Sequence, residues 1–200
     1  MEANLARARA AVERFGERLA VTTEFDDSLA VEYHRLRRAL ASTFQSMAHE
    51  AISRDDHDLN AIKQLVVTKM HELFDGRVES RFLNVRGYTS PHPDLYALLA
   101  ARLGTAVPGW RLRLLTGDKI HTERRTRELR DLGLDVEVGE SQSESTYELR
   151  SLSPDLTFGA AFQLRRNALD AKQLDSGARA WIIQLAESSA PLPDRKSTPK

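Results

Sequence analysis

Cysteine is absent from the 200 residues, which removes disulfide frameworks, thiolate metal sites and cysteine nucleophiles. An excess of one charge is missing too: 29 basic residues stand against 29 acidic ones. A protein that coats nucleic acid without regard to sequence carries a strong positive excess, so any DNA contact here requires local separation of charge. No apolar run approaches the roughly 18–20 residues that span a bilayer. Residues 1–9 carry charge where a signal peptide has its apolar core, so a cytoplasmic location without membrane contact is expected.

Signals for catalysis are sparse as well. No phosphate-binding glycine loop, nucleophile elbow or paired catalytic carboxylates are visible. His34, His49, His57, His71, His92 and His121 are scattered without ligand spacing, and Asp55, Asp56 and Asp58 read as a polar turn that caps a helix. Pro154, Asp155, Asp170 and Lys172 match the spacing of a metal-dependent nuclease motif, but their flanks are helical where that chemistry wants a buried strand. The expectation is a protein without enzymatic activity, cofactor or metal.

What is present is 41% hydrophobic and 29% charged residues, the balance of a folded chain. Residues 1–76 form a helical oligomerisation region. Leu5, Ala8, Val12, Phe15 and Leu19 share one helical stripe, followed by a break over 22–27 where Asp27 or Ser28 can cap the next helix. A second helix over 29–53 carries Leu29, Tyr33, Leu36, Leu40, Phe44 and Met47 on one stripe. A third, over 59–74, carries Leu59, Ile62, Val66, Met70 and Leu73, with Gly76 as its stop. Together they predict a small bundle, and the near-heptad stripes predict pairing into a homodimer. Residues 77–93, with Gly87, Pro91 and Pro93, read as a linker whose Arg77, Arg81 and Arg86 could meet phosphate.

From residue 94 the order of elements becomes informative. A helix over 94–103 ends at Gly104, and Val107 to Gly109 form an extended turn. A short helix runs over 110–115, a tight turn follows, and a third helix over 121–132 stops at Gly133. Two strands, 134–138 and 146–149, flank a polar loop. Helix, short helix, helix and β-hairpin are the order of a winged helix-turn-helix, whose third helix enters the major groove. A C-terminal helical extension over 151–186 closes over this module or the dimer interface, and 187–200 read as a disordered tail.

The run from Thr122 to Val136, closing in Tyr147-Glu148-Leu149, resembles the winged-helix modules of bacterial transcription regulators and restriction-associated proteins. There an Arg-Arg-x-Arg-Glu-Leu-Arg helix leads through a glycine turn into the wing. The resemblance covers residues 94–150 and implies a DNA-facing helix; it departs at Thr126, where an aliphatic residue is usual. On the helical wheel Thr122, Thr126 and Leu129 point toward the other helices. His121, Arg124, Arg127 and Glu128 point outward, with Arg125 and Arg130 at the sides.

The candidate DNA-binding set is Lys119, His121, Thr122, Arg124, Arg125, Arg127, Glu128 and Arg130. Against this stand Asp135, Glu137, Glu140, Glu144 and Glu148, five acidic residues and no basic one in the wing. The expected function is a sequence-specific, DNA-binding transcriptional regulator acting on double-stranded DNA as a homodimer. The alternatives are a DNA-recognition subunit of a restriction or phage-defence system, or a scaffold that binds protein through the acidic wing.

Overall fold

The computed structural model describes residues 2–24, 26–52, 57–118, 121–141 and 143–192. The chain is mainly helical with a small antiparallel sheet. Helices α1 (Glu2–Val21) and α2 (Asp27–Glu50) form an antiparallel hairpin, followed by α3 (Leu59–Phe74) and a 3-10 turn at Ser80–Phe82. Then come α4 (His92–Ala100), strand β1 (Val107–Pro108), α5 (Gly109–Leu115) and α6 (Thr122–Arg127). The last of these tightens into a 3-10 helix over Glu128–Leu132. Strands β2 (Val136–Ser141) and β3 (Glu144–Leu149) precede α7 (Leu156–Asp170) and α8 (Ser176–Ser189).

Aspartate starts four of these helices. Asp26, Asp58, Asp155 and Asp175 each accept a backbone N–H of the first turn, at 2.7, 2.8, 2.9 and 2.9 Å. These bonds satisfy donors that the helix leaves open at its start. The cap of α2 is thus Asp26, one residue ahead of the two expected candidates. Asp58 caps α3 as its polar turn suggested, while Asp55 and Asp56 lie outside the described residues. Asp155 is occupied at one end of α7 and Asp170 closes the other, about 21 Å along the axis. The nuclease-like spacing therefore brings no carboxylates together.

Two hydrophobic clusters organise the centre. Leu95, Leu99, Leu112, Leu129, Leu132, Val136 and Leu149 pack α4, α5, the 3-10 helix and the sheet around one core. Val66, Met70 and Phe74 of α3 meet Leu164 and Ala168 of α7 and Ile182 and Leu185 of α8 in a second. Helix α3 therefore joins the C-terminal helices and not a three-helix N-terminal bundle. Residues 77–93 are not a loose linker either: Val78, Phe82, Leu83 and Tyr88 are buried, so the segment is structural filling without helical period. Helix α8 runs to Ser189, three residues into the stretch expected as tail; residues 193–200 lie outside the described ones.

The α1–α2 hairpin has a thin core of its own, made of Ala8, Ala11 and Ala39. It is tied to α5 through Gln45 Nε2, which donates to the Leu115 carbonyl at 3.1 Å, and through His49 Nε2 at the same distance. Strand order is β1-β3-β2, with Val107 opposite Tyr147 and Val138 on its other side. The hairpin of β2 and β3 is longer than the sequence suggested, since β2 runs on to Ser141 and β3 begins at Glu144.

Gly133 joins the two cores. Its φ is +83°, and a Cβ there would lie 2.1 Å from the Asp155 carbonyl oxygen. The Asp155 N–H donates to the Gly133 carbonyl at 2.8 Å, so the two backbones meet directly. Gly159 repeats the device on Leu132, where a Cβ would lie 2.8 Å from the carbonyl oxygen. A side chain at Gly133 meets both the left-handed backbone penalty and a clash with main chain that cannot rotate away. We expect Gly133→Ala to lower unfolding free energy in urea by about 2 kcal/mol or more; an unchanged midpoint would show that this contact is not needed.

Candidate nucleic-acid interface

Helix α6 is short, but both of its faces are defined. Inward, Thr122, Thr126, Leu129 and Leu132 are buried. The Thr126 hydroxyl donates to the Thr122 carbonyl at 3.0 Å, and the Thr116 and Thr122 hydroxyls are 2.6 Å apart. Thr126 is thus accommodated in the core, because its one polar group is satisfied within its own helix.

Outward, the arginines converge on one carboxylate. Arg124 Nε donates to Glu128 Oε1 at 2.9 Å, and Arg125 Nη1 donates to Oε2 at 2.8 Å. His92, buried at the start of α4, places Nε2 3.0 Å from the same Oε2 and Nδ1 2.9 Å from the Thr89 carbonyl. Both ring nitrogens thus face oxygen atoms, one on each side of the ring. Burial alone would raise the Glu128 carboxyl; hydrogen bonds from His92, Arg125 and Arg124 outweigh it and hold the group at about 2. Two guanidinium groups share one carboxylate, so the site keeps a positive excess. The Arg124 side chain is 68% exposed and that of Arg125 44%, against 22% for Glu128.

The structure sorts the sequence-derived set. It brings Arg124, Arg125 and Glu128 together and leaves His121 exposed at the N-cap of α6. Thr122 is 1% exposed and belongs to the core. Arg130 turns to the sheet, its Nε donating to the Val136 carbonyl at 2.5 Å. Arg127 is half-buried on the side of Tyr147, and Glu128 is the anchor of its neighbours instead of a free outward group. Lys119 lies outside the described residues.

A polar cluster that the sequence did not announce lies beneath this face. Arg166 of α7 donates through Nη1 to the Tyr88 hydroxyl at 3.2 Å and through Nη2 to the Arg86 carbonyl at 3.3 Å. Gln163 Nε2 donates to the Tyr88 oxygen and to the Asp131 carbonyl, both at 2.9 Å. The Tyr88 and His92 rings meet edge to face at 5.1 Å. Contacts therefore run from Arg166 through Tyr88, His92 and Glu128 to Arg124 and Arg125, linking basic groups of α7 and α6 in one band beside the exposed Arg86. Burial pushes the Tyr88 hydroxyl well above its usual range. Burial also pushes the Asp131 carboxyl up to about 7, with the Glu128 charge adding to the effect and Arg166, His92 and Arg165 opposing it.

The β2–β3 hairpin is less anionic than its composition suggests. Glu144, at the start of β3, accepts from the Trp110 N–H at 3.0 Å and from Arg113 Nη2 at 3.2 Å. Arg150, just past β3, pairs with Glu137 and, at 3.9 Å, with Glu148. Among the described residues, no helix is long and apolar enough to cross a membrane and no group of histidine and carboxylate side chains is arranged to hold a metal ion. Comparison of the chain with protein-family models, with curated proteins and with solved structures finds no match.

Asp131 supplies a pH test. An acid whose folded-state pKa is raised binds its proton more tightly when folded, so its contribution to stability is lost as pH rises from about 4 to about 7. Glu128 has the opposite sign: its contribution is present above about 4.5 and is lost only toward pH 2. Between about pH 5 and 7.5, the stability difference between wild type and Asp131→Asn should move against wild type by on the order of 2–3 kcal/mol. Urea unfolding at several pH values measures it, and a pH-independent difference would mean that Asp131 titrates normally.

Proposed function

We propose that the chain binds double-stranded DNA through the outer face of α6, as a winged helix-turn-helix protein and in the manner of a transcriptional regulator. The observation that carries this reading is the exposed pair Arg124 and Arg125, held with a net positive charge on a helix braced by α4 and α5. Guanidinium groups match guanine edges and phosphates in bidentate geometry. Supporting it, helix, short strand, short helix, helix and two-stranded hairpin follow in the winged-helix order, and the three strands join in one sheet.

Glu128 gives the face a resting state. Each arginine has a partner in the free protein and exchanges it for a phosphate or base edge on binding, so the guanidinium groups stay ordered without DNA. Arg86 and Arg166, at the far end of the basic band, lie where they would follow the backbone beyond the groove. The wing carboxylates argue against a wing that grips phosphate. In this reading affinity comes from α6 and from the band beside the start of α4.

Removing both guanidinium groups in Arg124→Ala/Arg125→Ala should weaken binding to a duplex selected from a random pool by on the order of 30-fold or more. The slope of log K against log salt should fall by about 2. Fluorescence anisotropy with a circular-dichroism control reads both. Equal affinity for the wild type and the double variant, or binding that ignores salt, would overturn the proposal. The same surface would serve a DNA-recognition subunit of a restriction or defence system, which co-purification with a nuclease would distinguish.

A further inference from the structure

The α1–α2 hairpin presents an apolar face that nothing among the described residues covers. Leu5, Val12 and Leu19 recur every seven residues on α1, and Tyr33 and Met47 on α2 stand fourteen apart with Leu40 between them. Leu5, Val12, Leu19, Tyr33, Phe44 and Met47 are each between 39% and 54% exposed. The Phe15 and Tyr33 rings lie 6.2 Å apart, so the stripe of α1 continues into that of α2 as one surface. A contiguous apolar patch of this kind is unusual on a monomer. The seam inside the hairpin is built on three alanines with Leu36 and Leu40 packed against them, and it leaves Val12, Tyr33 and Met47 exposed.

We propose that this face pairs with the same face of a second copy, making a four-helix bundle in which α1 lies antiparallel to the partner's α1 and α2 to the partner's α2. Three observations favour a second copy over another occupant. The first is height. Phe15 sits beside Tyr33, and Asn4 Nδ2 donates to Ser46 Oγ at 2.8 Å, so Val12 lies level with the middle of α2. The α1 stripe is symmetric about Val12, which these two contacts place level with Leu36 and Arg37 of α2. A single two-fold axis there sets Leu5 against the partner's Leu19 and Tyr33 against the partner's Leu40.

The second observation is charge. Arg9 and Glu13 lie on the flank of α1 away from α2, are exposed, and have no ion pair among the described residues. The same axis brings Arg9 beside the partner's Glu13, and the symmetry repeats the pair. The third is size. Helix α1 is about 30 Å long and two helix widths make about 20 Å, so two copies would hide about 1,200 Å², the lower end of stable interfaces. Seven-residue spacing is also the repeat that keeps apolar seams aligned in left-handed bundles.

The pairing does not rest on the DNA reading, and the two fail separately. Light scattering on the full chain at micromolar concentration should give twice the 22.5 kDa of one chain. Glu13→Arg, an exposed change that leaves the hairpin's helicity intact by circular dichroism, should weaken the dimer by about tenfold. Adding Arg9→Glu should restore it. Val12→Asp should give a monomer that keeps the near-ultraviolet signal of Tyr88 and Trp110. A wild-type monomer overturns the proposal, as does a dimer that both Glu13→Arg and Val12→Asp leave untouched. A monomer that still shifts a selected duplex would remove the pairing and keep the DNA face.

Discussion

One carboxylate holds the exposed face of α6 in register. Glu128 takes hydrogen bonds from Arg124, Arg125 and His92, and His92 in turn is bound to the turn that starts α4. A carboxylate in such a place loses hydration, and only several charge-assisted donors make good that loss. The ion pairs on α6 are therefore more than a solvated helix face, because they couple that helix to α4. The apolar core sets where the helices lie; Glu128 sets how the guanidinium groups are aimed.

The charge neutrality of the whole chain conceals a division of labour. Basic groups of α6, α7 and the segment before α4 form a band on one side. The acidic groups of the sheet are drawn into pairs of their own, Glu144 with Arg113 and Glu137 with Arg150. Neutral composition is thus compatible with a local excess of one sign, since these acidic groups of the sheet have partners outside the band.

Periodicity made the helices legible. The bounds of α3 follow directly from Leu59, Ile62, Val66 and Met70, and the order of elements after residue 94 follows from the turn residues Gly104, Gly117 and Gly133. What periodicity carries poorly is irregular or distant. Val78, Phe82, Leu83 and Tyr88 are core residues in a segment with no repeat, so they read as linker. The expected single helix after His121 tightens at Glu128, where Leu132 and Gly133 must fit against Asp155 and Gly159; that demand comes from a segment far along the chain. The polar cluster under α6 joins Tyr88 to Gln163 and Arg166 across 75 and 78 residues, a separation that no local pattern reports. The outward set was partly legible: the wheel aimed Arg124 correctly, but it could not show that Glu128 would gather its neighbours or that Arg130 would turn to Val136.

The acidic residues of β2 also bear on how the molecule survives at high concentration. That strand is the outer one of its sheet, with one row of backbone donors and acceptors left open, and such a row is a template for uncontrolled strand addition. Glu137 and Glu140 stand exposed along it. A second sheet approaching edge to edge would bring like charges together before any backbone bond could form. The composition that makes this hairpin a poor clamp for phosphate makes it a good barrier against aggregation.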